Sequence, residues 1–339
     1  MHQFASIKRI IVYIVFFLPL TIGCNFNDIR DQQPPPSQKP VHAWTRLFLE
    51  YNVNLRDVYF LGINYGWTVG NFEAIFSTSS GTNWELTPES VSDESIYRSV
   101  YFINESTGWI VGDYHNGMNG GQIAISKNGG AYPEQQIITE FPLNAVCFSG
   151  SKNGWAGGER GLILHTLDAG ENWTAGNIGS TDTIYDIQVT EAFKGWAVTS
   201  PGGIYRTYDG VSWHQEEIDI AGDLYAVHFT DTLNGWACGS GNTVLHRTIL
   251  DDQTIGWENV VVTPDYPNLR WIDIFFTDTA HGWIIGDLQS VYKTADGGIT
   301  WVRETTDQAG KFSAIFMITN SKGYIVGENG TILTYTPNF

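Results

Sequence analysis

The chain has 339 residues, 42% of them hydrophobic and 14% aromatic, with 37 glycines and only 16% charged side chains. That mixture excludes a disordered chain or a coiled coil and suits many short strands joined by tight turns. A formal charge of −18 disfavours a nucleic-acid partner, because phosphate backbones would be repelled.

In chain order, residues 1–23 read as a signal peptide: a basic start, "MHQFASIKR", an apolar core, "IIVYIVFFLPL", and small Gly23 ahead of Cys24. The core is too short for a mature spanning helix, which needs about 20 apolar residues. The Gly23-Cys24 ending resembles a lipoprotein signal, with Thr21 where that pattern usually carries Leu. The resemblance implies an acylated Cys24 as the mature N-terminus. Residues 24–42 are proline-rich and poor in bulky apolar side chains, so they read as an extended tether. The expectation is an exported, membrane-anchored lipoprotein of the bacterial cell envelope, periplasmic or at the cell surface.

From residue 43 to 339 the chain repeats. Gly-Trp recurs at Gly66, Gly108, Gly154, Gly195, Gly235 and Gly282, with Gly323-Tyr324 as a seventh copy, at steps of 40 to 47 residues. This is the period of a four-stranded propeller blade. Each unit opens with an alternating run such as "LRDVYF" or "WIDIFF" (strand A), continues through "GWxxG" (B), and turns into "AIFST" or "VYKT" (C). The fourth strand, D, is expected at an aromatic: Trp84, Tyr132, Trp173, Trp213, Trp257 and Trp301. The last repeat ends before it can supply its own, while "AWTRLFL" around Trp44 precedes the first complete unit. The prediction is therefore an all-β, seven-bladed propeller of four-stranded antiparallel blades, closed by the N-terminal strand completing the last blade. Closure removes free sheet edges.

The C-to-D turns "TLDAGENW" and "TADGGITW" match Ser/Thr-x-Asp-x-Gly-x-x-Trp. An Asp there accepts backbone N–H bonds, Gly permits positive φ, and Trp covers the turn, so Asp168, Gly170, Trp173, Asp296, Gly298 and Trp301 read as structural. A turn repeated around a ring has no privileged catalytic copy. These Asp-box turns, Gly-Trp strands and seven-fold count resemble the BNR-repeat propellers, and among them the photosystem II assembly and stability factor family. The resemblance implies a non-enzymatic, protein-binding propeller with an arginine-bearing binding face.

Aligning the starts of strand A puts Arg56, Arg98, Asn144, Tyr185, Tyr225, Ile272 and Ser313 at one repeat position, a ring at the mouth of the central channel. Arg and Tyr anchor protein interfaces through large area and directional hydrogen bonds. Candidate partner-binding residues are therefore Arg56, Arg98, Asn144, Tyr185 and Tyr225, with Arg160 extending the patch. Arg206, Arg247 and Lys293 share a strand C position farther out. The longest B-to-C connection, "GDYHNGMNGGQ", and the acidic stretches "PESVSDESIY" and "HQEEIDIAGD" are candidate recognition loops. No Cys/His cluster has metal-ligand spacing, Cys147 and Cys238 read as isolated buried thiols, and no cofactor is implied. The alternative is a glycoside hydrolase of the sialidase or xyloglucanase type, since those share Asp-box propellers and would bind a glycan. Its carboxylate candidates are Asp57, Asp186 and Asp273, but the sialidase "FRIP" signature is absent.

Overall fold

In a computed structural model, the described residues are 43–88, 95–115, 119–191, 193–250, 253–307 and 310–335. The expected signal peptide, Cys24 and tether lie outside them, as does most of "PESVSDESIY". Among the described residues are seven four-stranded antiparallel sheets. Blades 1 to 6 each use four consecutive strands; blade 7 joins Phe312–Thr319, Lys322–Gly327 and Thr331–Tyr335 to Trp44–Leu47 from the start of the domain. The complementary ends therefore close the ring, with Trp44 opposite Tyr335 and Leu47 opposite Ile332. Fully buried Trp44 also donates its indole N–H to Glu304 of blade 6 at 2.8 Å, and Tyr335 donates to the same carboxylate at 2.9 Å.

The repeat residues have direct physical causes. In five blades a Cβ on the Gly of Gly-Trp would stand 2.3–2.5 Å from the ring of the strand A Phe opposite it, as at Gly154 against Phe148. That Phe in turn stacks on the Trp of the preceding blade: Phe102 on Trp67 at 3.8 Å, Phe229 on Trp196 at 3.7 Å and Phe276 on Trp236 at 3.6 Å. The second Gly of GWxxG faces a backbone carbonyl. A Cβ on Gly70, Gly112, Gly158, Gly239 or Gly327 would lie 1.8–2.2 Å from an oxygen of the strand A entry. In the five blades whose Gly-Trp faces a Phe, the interface is thus a packed aromatic layer that glycine lets close, while Gly195 and Gly323 instead face Val189 and Met317.

The Asp-box turns are the outer half of these interfaces. Thr166 Oγ1 accepts the N–H of Gly170 at 2.9 Å, and Asp168 accepts the N–H of Asn172 at 2.9 Å; Thr294, Gly298, Asp296 and Thr300 repeat the arrangement. Side-chain bonds from Asn172 and Thr300, followed by these backbone bonds, hold both carboxylates below their ordinary range. In three blades the turn also receives the indole N–H of the preceding blade: Trp67 donates to Gly129 O at 2.8 Å, Trp155 to Gly210 O at 2.7 Å and Trp236 to Gly297 O at 3.0 Å. Trp301 meets Phe276 edge-to-face at 90°, and Trp173 meets Phe148 at 85°.

Three expectations need correction in detail. Tyr132 is half exposed and strand D of blade 2 starts at Glu134, so this aromatic does not cover its turn. Arg247 does not share a position with Arg206 and Lys293: those two oppose Trp196 and Trp283, whereas Trp236 opposes His246, and Arg247 is shifted one residue to pair with Gly235. Blade 5 lacks the Asp-box glycine, and buried Arg247 lies over Trp196 of blade 4, 5.3 Å from the ring, where other blades place a turn. Much of "GDYHNGMNGGQ" is not loop, since the strands Gly108–His115 and Asn119–Ser126 stay paired out to His115 and Asn119. Cys147 and Cys238 are buried free thiols, as expected.

Candidate functional site: the channel mouth

Every strand A carries a register shift at its entry, and in all seven blades the residue skipped is the ring residue: Arg56, Arg98, Asn144, Tyr185, Tyr225, Ile272 and Ser313. A bulge of this kind bends the strand and re-aims a side chain out of the ladder. The extra residue turns towards the axis while its neighbours on both sides stay in register. As a result all seven ring residues line one pocket of about 410 Å³, together with Arg270, Lys311, Phe312 and Glu328. Arg160 is not among the lining residues; it occupies a left-handed turn, with its guanidinium 5.3 Å from the Phe141 ring.

The mouth is uneven. Four cations line it, Arg56, Arg98, Arg270 and Lys311, in a chain of net charge −18. Arg270 and Lys311 were not singled out from sequence, but each sits two residues before a ring residue. Three of the four are matched by an acid from one repeat position, the residue just after GWxxG. Asp113 takes Arg98 in a bidentate pair at 2.5 and 2.9 Å, Asp287 faces Arg270 at 3.2 Å, and Glu328 faces Lys311 at 3.5 Å. Blade 1 carries Asn71 at that position, so Arg56 donates to a neutral amide at 3.0 Å instead. Desolvation at the mouth and the charge of Arg98 lower the Arg56 pKa. Arg98 is further braced by Asn144, which donates to Ile184 O of the next blade. Blades 4 and 5 contribute aromatic surface: Tyr185 and Tyr225 meet edge-to-face, 5.2 Å apart at 87°, and the Tyr225 hydroxyl donates to Asp223 at 3.1 Å.

One residue below the ring, Asp57, Ser99, Ala145, Asp186, Ala226, Asp273 and Ala314 line a narrower section of about 170 Å³. The three carboxylates fasten blades together. Asp57 accepts from Val58 at 2.7 Å and from Val100 of blade 2 at 2.9 Å; Asp186 joins Ile187 to Val227, and Asp273 joins Ile274 to Ile315. Burial pushes Asp57 and Asp186 up to about 6 and Asp273 well above its ordinary value. Ser99 makes the corresponding bond to Val146 at 3.3 Å. Both oxygens of each carboxylate are engaged by backbone amides, so these groups act as fasteners between blades and the glycosidase alternative is not favoured. Deeper still, Tyr59, Tyr101, Phe275 and Phe316 narrow the channel with rings 4.7–5.4 Å apart.

Among known proteins, the family model described as "Photosynthesis system II assembly factor YCF48" matches residues 82–210 and 251–336. The "Photosystem II assembly lipoprotein Ycf48" of Picosynechococcus sp. is 27% identical, covering 94% of this chain and 92% of its own length. Its namesake from Synechococcus sp. is 22% identical over 96% and 97% of the two chains. Among solved structures, "YCF48 bound to D1 peptide" superposes with a TM-score of 0.71 at 20% identity, covering 88% of this chain and 97% of that one. "YCF48 from Cyanidioschyzon merolae" gives 0.71 at 20% identity, covering 87% and 99%. A WD40 propeller domain of Doa1 reaches 0.68 at 8% identity, over 87% of this chain and 97% of that one, a likeness of fold alone.

Proposed function

The chain belongs to the photosystem II assembly factor YCF48 family, and from that premise we propose that it is a membrane-tethered scaffold holding a segment of a client membrane protein across the channel mouth. The family is one of assembly factors, not of enzymes. The observation that carries the reading is the mouth itself: seven bulged residues aimed at one pocket, with arginine and tyrosine predominating. A related propeller is known with a D1 peptide bound, which supports a polypeptide ligand over a glycan. Acylation at Cys24 would place the domain at the envelope membrane, and relatives are named lipoproteins. Trp44 begins strand D at its Asp-box end, while the mouth opens at the opposite end of the strands.

Pull-down from solubilised native membranes with wild type and Arg56→Ala tests the site, with recovered clients identified by mass spectrometry. Depletion of the client by the substitution is the expected result; equal recovery overturns the mouth as the binding site. Mass analysis of the mature N-terminus tests the anchor, and an unmodified terminus at any residue other than Cys24 removes it.

A further inference from the structure

The mouth has two unlike halves. Arg56 stands in blade 1, and in a ring of seven the blades across from it are 4 and 5, which carry Tyr185 and Tyr225. Around the ring, Arg98, Arg270 and Lys311 already face Asp113, Asp287 and Glu328, so their charge is largely offset within the collar. Arg56 has Asn71 where the others have an acid, and its guanidinium meets a neutral oxygen. On the far side, Tyr185 is 37% exposed, its ring held edge-on to Tyr225, and Ile272 of blade 6 continues the apolar wall. Arg270 lies over the Tyr225 ring at 5.8 Å, and Asp223 fixes the Tyr225 hydroxyl, so this wall is oriented before any ligand arrives.

The geometry points to an extended peptide that carries one acidic and one aromatic side chain, laid across the mouth with its carboxylate on Arg56 and its ring on Tyr185 and Tyr225. This rests on the reading of the mouth as a client site and names the chemistry of the segment it takes. A carboxylate at Arg56 would supply the partner that Asn71 does not, through a bidentate charge-assisted pair. An aromatic side chain on the tyrosine pair gains an edge-to-face contact on a surface already ordered. Two different subsites on opposite sides of the ring also fix the direction in which the chain crosses. A purely acidic segment would use only half of the mouth, and a purely apolar one would leave Arg56 desolvated without an anion.

The test uses fluorescein-labelled, C-terminally amidated peptides in which one Glu and one Phe are separated by one to four Gly or Ser residues, with binding read by fluorescence anisotropy. At the best spacing, replacing Glu by Gln should weaken binding to wild type by about tenfold and add nothing on Arg56→Gln. Replacing Phe by Ala should weaken binding by about tenfold on wild type and add nothing on Tyr185→Ala. Binding by no peptide of the set overturns the proposal, as does a Glu-to-Gln penalty that persists in full on Arg56→Gln. Client capture from membranes separates the two levels. Capture lost on Arg56→Gln with every peptide silent overturns this ligand class alone, whereas capture unchanged on Arg56→Gln overturns the mouth as the client site.

Discussion

The indole N–H of Trp155 in blade 3 meets the carbonyl of Gly210 in blade 4 at 2.7 Å, so the Gly-Trp of one repeat is completed by the Asp-box turn of the next. Both groups are buried. Trp155→Phe keeps an aromatic ring but orphans the carbonyl, which costs about 1–3 kcal/mol. Urea denaturation should show a lower midpoint with an unchanged slope. An unchanged midpoint would show that the bond contributes nothing to the interface.

Glycines of one blade should divide sharply. A Cβ on Gly154 would lie 2.5 Å from the Phe148 ring, which is itself stacked on Trp109, so the ring cannot yield without opening the interface. Gly154→Ala should therefore cost about 1–3 kcal/mol or more. Gly176, on the outer strand of the same blade, has nothing nearer than 3.7 Å, and Gly176→Ala should stay within about 0.5 kcal/mol. Thermal melts of the two variants side by side check the contrast, and equal losses would contradict the packing account.

Arg56 and Arg98 should separate on substitution. Removing Arg98 leaves the carboxylate of Asp113, only 5% exposed, without its bidentate partner. Because the Arg98 side chain is itself 37% exposed, the loss is reduced by solvent to about 1–3 kcal/mol. Arg56 is exposed and bonded to a neutral amide, so Arg56→Ala should alter stability by less than about 0.5 kcal/mol. Chemical denaturation of each single variant gives the answer, and a costlier Arg56→Ala would reverse the assignment. Of the two arginines, Arg56 is therefore the one to substitute in the functional test.

The carboxylates below the ring carry a pH signature. Asp57 and Asp186 are pushed up to about 6 by burial, above the ordinary aspartate value near 4. Between those values the folded protein holds protons that the unfolded chain has released. Their contribution to stability is thus present below pH of about 4 and is lost as pH rises towards 6. Asp57→Ser copies the Ser99 solution of blade 2, keeping an acceptor for Val100 while removing one titration. It should flatten the stability slope between about pH 4 and 6 relative to wild type. Carboxyl carbon NMR reads the group directly, and an Asp57 midpoint near 4 would remove the prediction.

Ring closure should be as sensitive as any interior contact. Trp44 is fully buried between Tyr335 and Glu304, and it joins the two ends of the domain. Trp44→Ala should cost about 3–5 kcal/mol. Limited proteolysis should then cut first in blade 7, and first cleavage elsewhere would show that closure is not the weak point.

Strand period, blade count, the closing role of Trp44 and the turn hydrogen bonds of Asp168 and Asp296 were all legible from residues alone. They rest on local rules, alternation along a strand and the hydrogen bonding of a tight turn, that repeat with the chain. Membership of the ring was legible for the same reason, since equivalent positions in equivalent blades must face one axis. What the ring residues do there was decided by contacts between strands. Arg56 and Arg98 look alike in sequence, yet only Arg98 finds a carboxylate, because the residue opposite is Asp113 in one blade and Asn71 in the other. The same holds for Arg247, moved by one residue of register to lie over Trp196, and for Arg160, turned aside towards Phe141. A repeat determines where a side chain starts, but its charge, burial and freedom to bind depend on neighbours fifteen or more residues away, whose identity changes from blade to blade, as Asn71 does in place of an acid.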